Sequence, residues 1–156
     1  MYPEDPVTSD ALRASVTLRF DTLARRLALP LGATVDLVES EDFSVLKITP
    51  ANDDALAIDV VFDNLIDFAA GSIGGRWEAD YTDEMVEDLE DLLHAIVAGH
   101  VSEVAAPGRS RVEVTIASGE VVSETGYEGC LTSLTPMPGW TKWGRRLQYG
   151  PYRPSI

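Results

Sequence analysis

One cysteine, two histidines and only twelve Lys and Arg among 156 residues describe this chain first by what it lacks. The lone Cys130 cannot close an intramolecular disulfide, so stability must come from a packed core, and a reducing compartment is the expectation. Cys130 with His94 and His100 cannot complete a tetrahedral zinc site. No stretch approaches the ~18 consecutive apolar residues of a membrane span. The opening Met-Tyr-Pro-Glu-Asp-Pro lacks the basic region and apolar run of a secretory signal. Cytoplasm is therefore the expected location.

Catalytic signatures are missing as well. No Gly-x-Ser-x-Gly elbow occurs, and Cys130 has no nucleophile motif around it. The run Gly71-Ser-Ile-Gly-Gly75 lacks the lysine of a phosphate loop and the spacing of a dinucleotide fingerprint, and it reads as a turn. Asp53, Asp54, Asp59, Asp63 and Asp67 do not follow calcium-loop spacing. No cofactor, metal or catalytic residue is assigned.

Positive charge is scarce and unevenly placed. Residues 1–128 hold eight Lys and Arg against all 26 Asp and Glu, a balance of −18; residues 129–156 hold only cations, Lys142, Arg145, Arg146 and Arg153, a balance of +4. A field of the first sign repels nucleic acid and anionic membrane and speeds encounter with a basic partner. In the tail Trp140, Trp143, Tyr149 and Tyr152 interleave with the cations. The expectation is that these aromatics pack over the sheet while Arg145 and Arg146 reach the acidic face formed by the carboxylates of Glu78–Asp91.

Apolar content of 45% with 24% charged residues is ordinary for a globular domain, and 156 residues suit one domain, 1–156, able to bury roughly two-thirds of its unfolded surface. Behind a Pro-punctuated arm, Thr8, Ser9 or Asp10 can cap a helix whose stripe is Leu12, Val16, Phe20, Leu23 and Leu27, closing near Leu29 before Pro30 and Gly32. Thr34–Glu39, Phe43–Thr49 and Ala55–Asp63 read as antiparallel strands with short turns, and Ile58, Val60 and Phe62 share one face. A strand near Leu65–Phe68, the glycine loop and a short strand at Trp77 follow. Thr82 caps a second helix, with Met85, Val86, Leu89, Leu92, Leu93, Ile96 and Val97 as its stripe and Gly99 as its left-handed stop. Arg111–Ala117 and Val121-Val122 flank Ser118-Gly-Glu120 as a hairpin. The Pro-bearing tail reads as irregular. The fold class is α+β, a mainly antiparallel sheet covered by two helices.

Glu78–Asp91 carries eight carboxylates, and no Lys or Arg lies between Trp77 and Gly108. At helical spacing Asp83, Glu87 and Glu90 share one side while Glu84, Asp88 and Asp91 follow beside it. Such a row is a solvated face, a partner of the basic tail, or a docking surface for a basic protein. The docking reading names Asp80, Asp83, Glu84, Glu87, Asp88 and Asp91 for steering, with Trp77 and Tyr81 as anchors.

From Ala55 to Val104 the order is Ile58-Asp-Val-Val-Phe62, a glycine turn, Trp77-Glu78, the acidic helix and Ala98-Gly-His-Val-Ser-Glu-Val104. This order resembles small bacterial immunity proteins of the contact-toxin class. Where such families carry histidines before the helix, this chain has Asn64, Asp67 and Phe68. The resemblance implies a compact α+β module that neutralises one toxin and needs no cofactor. Two other readings stay open: a small enzyme using a carboxylate in a pocket near Trp77 and the glycine loop, and a dimeric structural or regulatory module. Partner identity and oligomeric state are not legible.

Overall fold

In the computed structural model, which describes residues 6–154, the first element is helix α1, Pro6–Ala28, continued by a single 3-10 turn at Leu29–Leu31. The helix begins upstream of the expected caps, so Thr8, Ser9 and Asp10 lie inside it. Proline suits a first helical position because the N–H it lacks would be unpaired there anyway. The arm ahead of Pro6 lies outside the described residues. Val16, Phe20 and Leu23 are buried as the stripe requires, but Leu12 is exposed. Gly32, at φ 82°, turns the chain into the sheet.

Five strands follow as a meander of adjacent antiparallel neighbours: β1 Thr34–Glu39, β2 Ser44–Thr49, β3 Ile58–Phe62, β4 Ile66–Ala69 and β5 Arg76–Ala79. Alternation sets the register. Leu46 stands opposite Val60 and Val60 opposite Phe68, all fully buried, while Lys47, Asp59 and Asp67 face outward between them. α1 lies on this face. Phe20 meets Phe62 and Phe68 edge-on, with centroids 5.9 and 6.3 Å away. Burying a phenylalanine contributes roughly 1.5–3 kcal/mol, so this trio is a main fastening of helix to sheet.

Helix α2, Asp83–Val97, leads from the first sheet to a second one, whose strands are β6 Val101–Ala106, β7 Arg109–Thr115, β8 Val121–Tyr127 and β9 Arg145–Gln148 in the spatial order β8-β7-β6-β9. All pairings are antiparallel. The single expected sheet is thus two sheets, and one apolar cluster, from Phe20 through Phe68 and Leu93 to Val112 and Val114, runs through both.

The tail corrects the sequence reading. After the short helix α3, Trp140–Trp143, the chain forms β9 on the outer edge of β6 and then buries Tyr152. Tyr152 Oη donates to the Leu56 carbonyl at 2.6 Å, and its amide donates to that of Val97 at 2.9 Å. Burial pushes its phenol well above the ordinary value. Of the other tail aromatics, Tyr149 packs against the core, Trp140 is half-buried and Trp143 is exposed. Every residue of β9 is exposed, because an edge strand with both faces in solvent needs no alternation, which is why it was illegible.

Candidate binding site

α2 opens with Thr82, whose hydroxyl accepts from the Met85 amide at 3.3 Å. Asp83 and Glu84 occupy its first turn, where the positive end of the helix dipole favours them. Val86, Leu89, Leu92, Leu93 and Ile96 face inward, and this inward stripe turns Asp83, Glu84, Glu87, Asp88 and Asp91 to solvent. Glu90 differs. It takes a bidentate contact from Arg19 of α1, with Nε 3.2 Å from Oε2 and Nη2 against Oε1. Asp83 stands 3.9 Å from the same guanidinium. Those hydrogen bonds, with the charges of Glu90, Asp83 and Glu87, hold the Arg19 guanidinium above its ordinary value despite the opposing effect of its slight burial.

The cation serving the acidic helix therefore comes from α1 and not from the tail. Arg146 instead meets Glu113 of β7 at 3.1 Å, and Arg145 makes no ion pair among the described residues. β9 lies on the opposite edge of its sheet from β8, two strands away from the groove described next.

Between β5, α2 and the β7–β8 turn lies a groove of about 320 Å³. Trp77, Met85, Leu89, Leu92, Ile116 and Val122 give it an apolar lining, with Ala79 beside them. Glu78, Asp88, Asp91 and Glu120 line it too, and no Lys, Arg or His does. Trp77 stands edge-on to Phe68 at 6.0 Å, and its buried indole N–H finds no acceptor among the described residues.

Of the residues named from sequence, the groove brings together Trp77, Asp88 and Asp91. Asp80, Asp83, Glu84 and Glu87 are exposed but line no part of it, and Tyr81 is committed elsewhere. Tyr81 Oη donates to the Asp63 carbonyl at 2.6 Å and so ties the entry of α2 to the β3–β4 turn. Burial pushes its phenol up to about 12. Glu120 and Val122 were missed because they arrive from the second sheet, and only the tertiary fold sets them beside α2.

The glycine loop belongs to a different place. Trp77 lines the groove, whereas Gly71–Gly74 line a separate cleft with Asp59, Arg76 and Glu128. The loop is clamped onto the second sheet by a buried polar network. Glu103 of β6, 4% exposed, accepts from the Ser72 amide at 2.9 Å, the Ser72 hydroxyl at 2.7 Å and the Tyr149 hydroxyl at 2.7 Å. The hydroxyl oxygen of fully buried Ser110 accepts from the amides of Ile73 and Gly74 at 3.2 and 2.6 Å. Burial alone would raise the Glu103 carboxyl, but hydrogen bonds from Ser110, Ser72 and Tyr149 outweigh it and hold the group below its ordinary value. Tyr149 is raised in turn, by burial and by that bond to Glu103. Gly74 is required by contact: a Cβ there would sit 2.4 Å from the Ser110 carbonyl oxygen.

His94 and His100 are exposed, as is Cys130, and no cluster of three or more His, Cys, Asp or Glu able to hold a metal occurs among the described residues. No helix among the described residues is long and apolar enough to cross a membrane. Comparison with known proteins finds no matching family model, no matching characterised protein and no matching solved structure.

Proposed function

We propose that this protein is a non-enzymatic binding module for a basic protein, and that its narrower role is that of a bacterial, cytoplasmic immunity protein whose partner is a cationic toxin domain. The observation that carries the reading is the groove, where an apolar floor is flanked by Glu78, Asp88, Asp91 and Glu120 with no cation along its lining. Apolar contacts at the centre of an interface supply affinity, and charges around it supply encounter rate and register. Exposed Asp83, Glu84 and Glu87 on the same helix extend the acidic surface and add to the steering field. The chain's balance of −18 over residues 1–128 supports the same sign of partner.

The test is co-expression with the product of the adjacent gene. Growth rescue and a stoichiometric complex are expected for the native chain, and both should be lost when Asp88→Asn, Asp91→Asn and Glu120→Gln are combined. A toxic neighbour neutralised equally well by that variant would remove the groove from the interface. A neighbour with which the chain forms no complex would overturn the immunity role.

A further inference from the structure

The tail carries a surface whose chemistry is the reverse of the groove's. Trp143 closes α3 with 56% of its surface exposed, and its indole N–H donates to the Pro138 carbonyl at 3.0 Å. That bond holds the ring in one orientation at the surface. Lys142 and Arg145, on either side of it in the chain, are exposed and make no ion pair among the described residues. No Asp or Glu follows Glu128 in the sequence, so the tail itself supplies nothing to neutralise them. The groove has the opposite composition, with an apolar floor of Met85, Leu89 and Leu92, four carboxylates and no cation. Its volume of about 320 Å³ is room for one indole.

Within one chain the two surfaces cannot meet. Arg145 stands opposite Ala105, and Ala105 opposite Ser110, beside the turn between β6 and β7. Ile116 and Glu120 of the groove belong to the turn at the other end of β7, a strand of seven residues, so about 20 Å of strand separate the two turns. Val122 of the groove lies on β8, at the far edge of the sheet from β9.

We infer that the groove of one copy receives Trp143 of a second copy, with Lys142 and Arg145 set against the carboxylates of its walls. This rests on the proposed groove function and specifies what fills the groove when the basic partner is absent. A tryptophan seated in an apolar pocket supplies affinity, and the flanking charge pairs fix its register. Because the two surfaces differ, the contact is head-to-tail, and each copy keeps one surface of each kind available to a further copy. The assembly therefore grows instead of stopping at a symmetric dimer. Each copy carries a net charge of −14, which opposes the contact. At physiological salt, screening over about 8 Å confines that repulsion to near neighbours, so the contact forms but stays weak. A basic partner meets attraction in place of repulsion and displaces the second copy.

Sedimentation velocity of the full chain should show assembly that grows with concentration, and an excess of the capped peptide Lys-Val-Lys-Leu-Lys-Val-Lys should return it to monomer. Two variants, each checked by thermal melting, assign the surfaces. One combines Lys142→Gln, Trp143→Ala and Arg145→Gln; the other combines Asp88→Asn, Asp91→Asn and Glu120→Gln. Each alone should associate at least about tenfold more weakly than the native chain. An equimolar mixture should form a 1:1 complex and nothing larger, because one variant supplies the intact groove and the other the intact tryptophan. A native chain that stays monomeric at about 1 mM, an assembly that either variant or excess peptide leaves intact, or a mixture that forms no complex overturns the self-contact. Peptide binding, read by calorimetry, separates this inference from the reading beneath it. If the groove variant alone loses the peptide while the native chain never self-associates, the basic-partner groove stands and the self-contact falls. If the groove variant loses self-association yet binds the peptide as the native chain does, the self-contact stands and the basic-partner reading falls.

Discussion

Arg19 and Glu90 join α1 to α2 through a two-point contact, and Asp83 stands within 3.9 Å of the same guanidinium. One cation from the first helix thus serves two carboxylates of the second. Since the Arg19 side chain is 40% exposed, solvent screening limits its worth. Arg19→Gln should cost about 0.5–1 kcal/mol, lowering the Tm by a few degrees. A double-mutant cycle with Glu90→Gln measures the coupling; a coupling of zero would mean the contact contributes nothing to stability.

Tyr152→Phe isolates one hydrogen bond in the tail. The change keeps the ring and removes the donor to the Leu56 carbonyl, leaving a buried acceptor unsatisfied at a cost of about 1–3 kcal/mol. Removing residues 145–156 deletes β9 and Tyr152 together and should cost more than the point change. Urea unfolding of both variants tests this, and a truncated chain as stable as the full one would contradict the packing described for the tail.

The Glu103 network carries a pH signature. Its carboxyl is depressed in the folded state, so its ionisation adds stability above the ordinary carboxyl range, and that contribution fades as pH falls from about 4.5 through the folded value. Glu103→Gln should destabilise the protein at pH 7 by about 1–3 kcal/mol, and the gap to the native chain should narrow in acid. Melting curves from pH 7 to pH 3 provide the check. A gap that stays constant would show that the loss is one of packing and not of charge.

The groove and the rest of the acidic helix can be told apart kinetically. Neutralising Asp88, Asp91 and Glu120 should slow association with a lysine-rich peptide and flatten its salt dependence, while neutralising Asp83, Glu84 and Glu87 should leave the dissociation rate unchanged and reduce association less. Stopped-flow rates at three ionic strengths decide the matter. Identical behaviour of the two triple variants would mean that only net charge counts.

Elements governed by local chemistry were legible in the sequence. The span Thr34–Glu39 matches β1, the shared face of Ile58, Val60 and Phe62 is buried, Thr82 caps α2, and Gly99 takes the left-handed conformation after it. Each rests on alternation, a side-chain oxygen or a missing Cβ within a few residues. Elements defined by distant partners were not. β6 had only a short apolar–polar pattern, Arg145–Gln148 becomes a strand only because β6 offers an edge, and Glu120 joins Asp88 only through the packing of two sheets. The acidic helix was correctly placed, yet composition could not separate the carboxylate held by Arg19 from those lining the groove.

Tyr152 bonds at once to Leu56, in the loop between β2 and β3, and to Val97, at the end of α2. These contacts span 96 and 55 positions of sequence, and contacts of such separation close late. During synthesis the chain emerges from its N-terminal side, at roughly 5–20 residues per second. The first sheet and both long helices are therefore outside the ribosome while the residue that closes the loop between β2 and β3 is still unmade. Until Tyr152 emerges, Leu56 and the end of α2 lack their cover, and this interval is when the nascent chain is most open to proteases and to chaperones that bind exposed apolar segments.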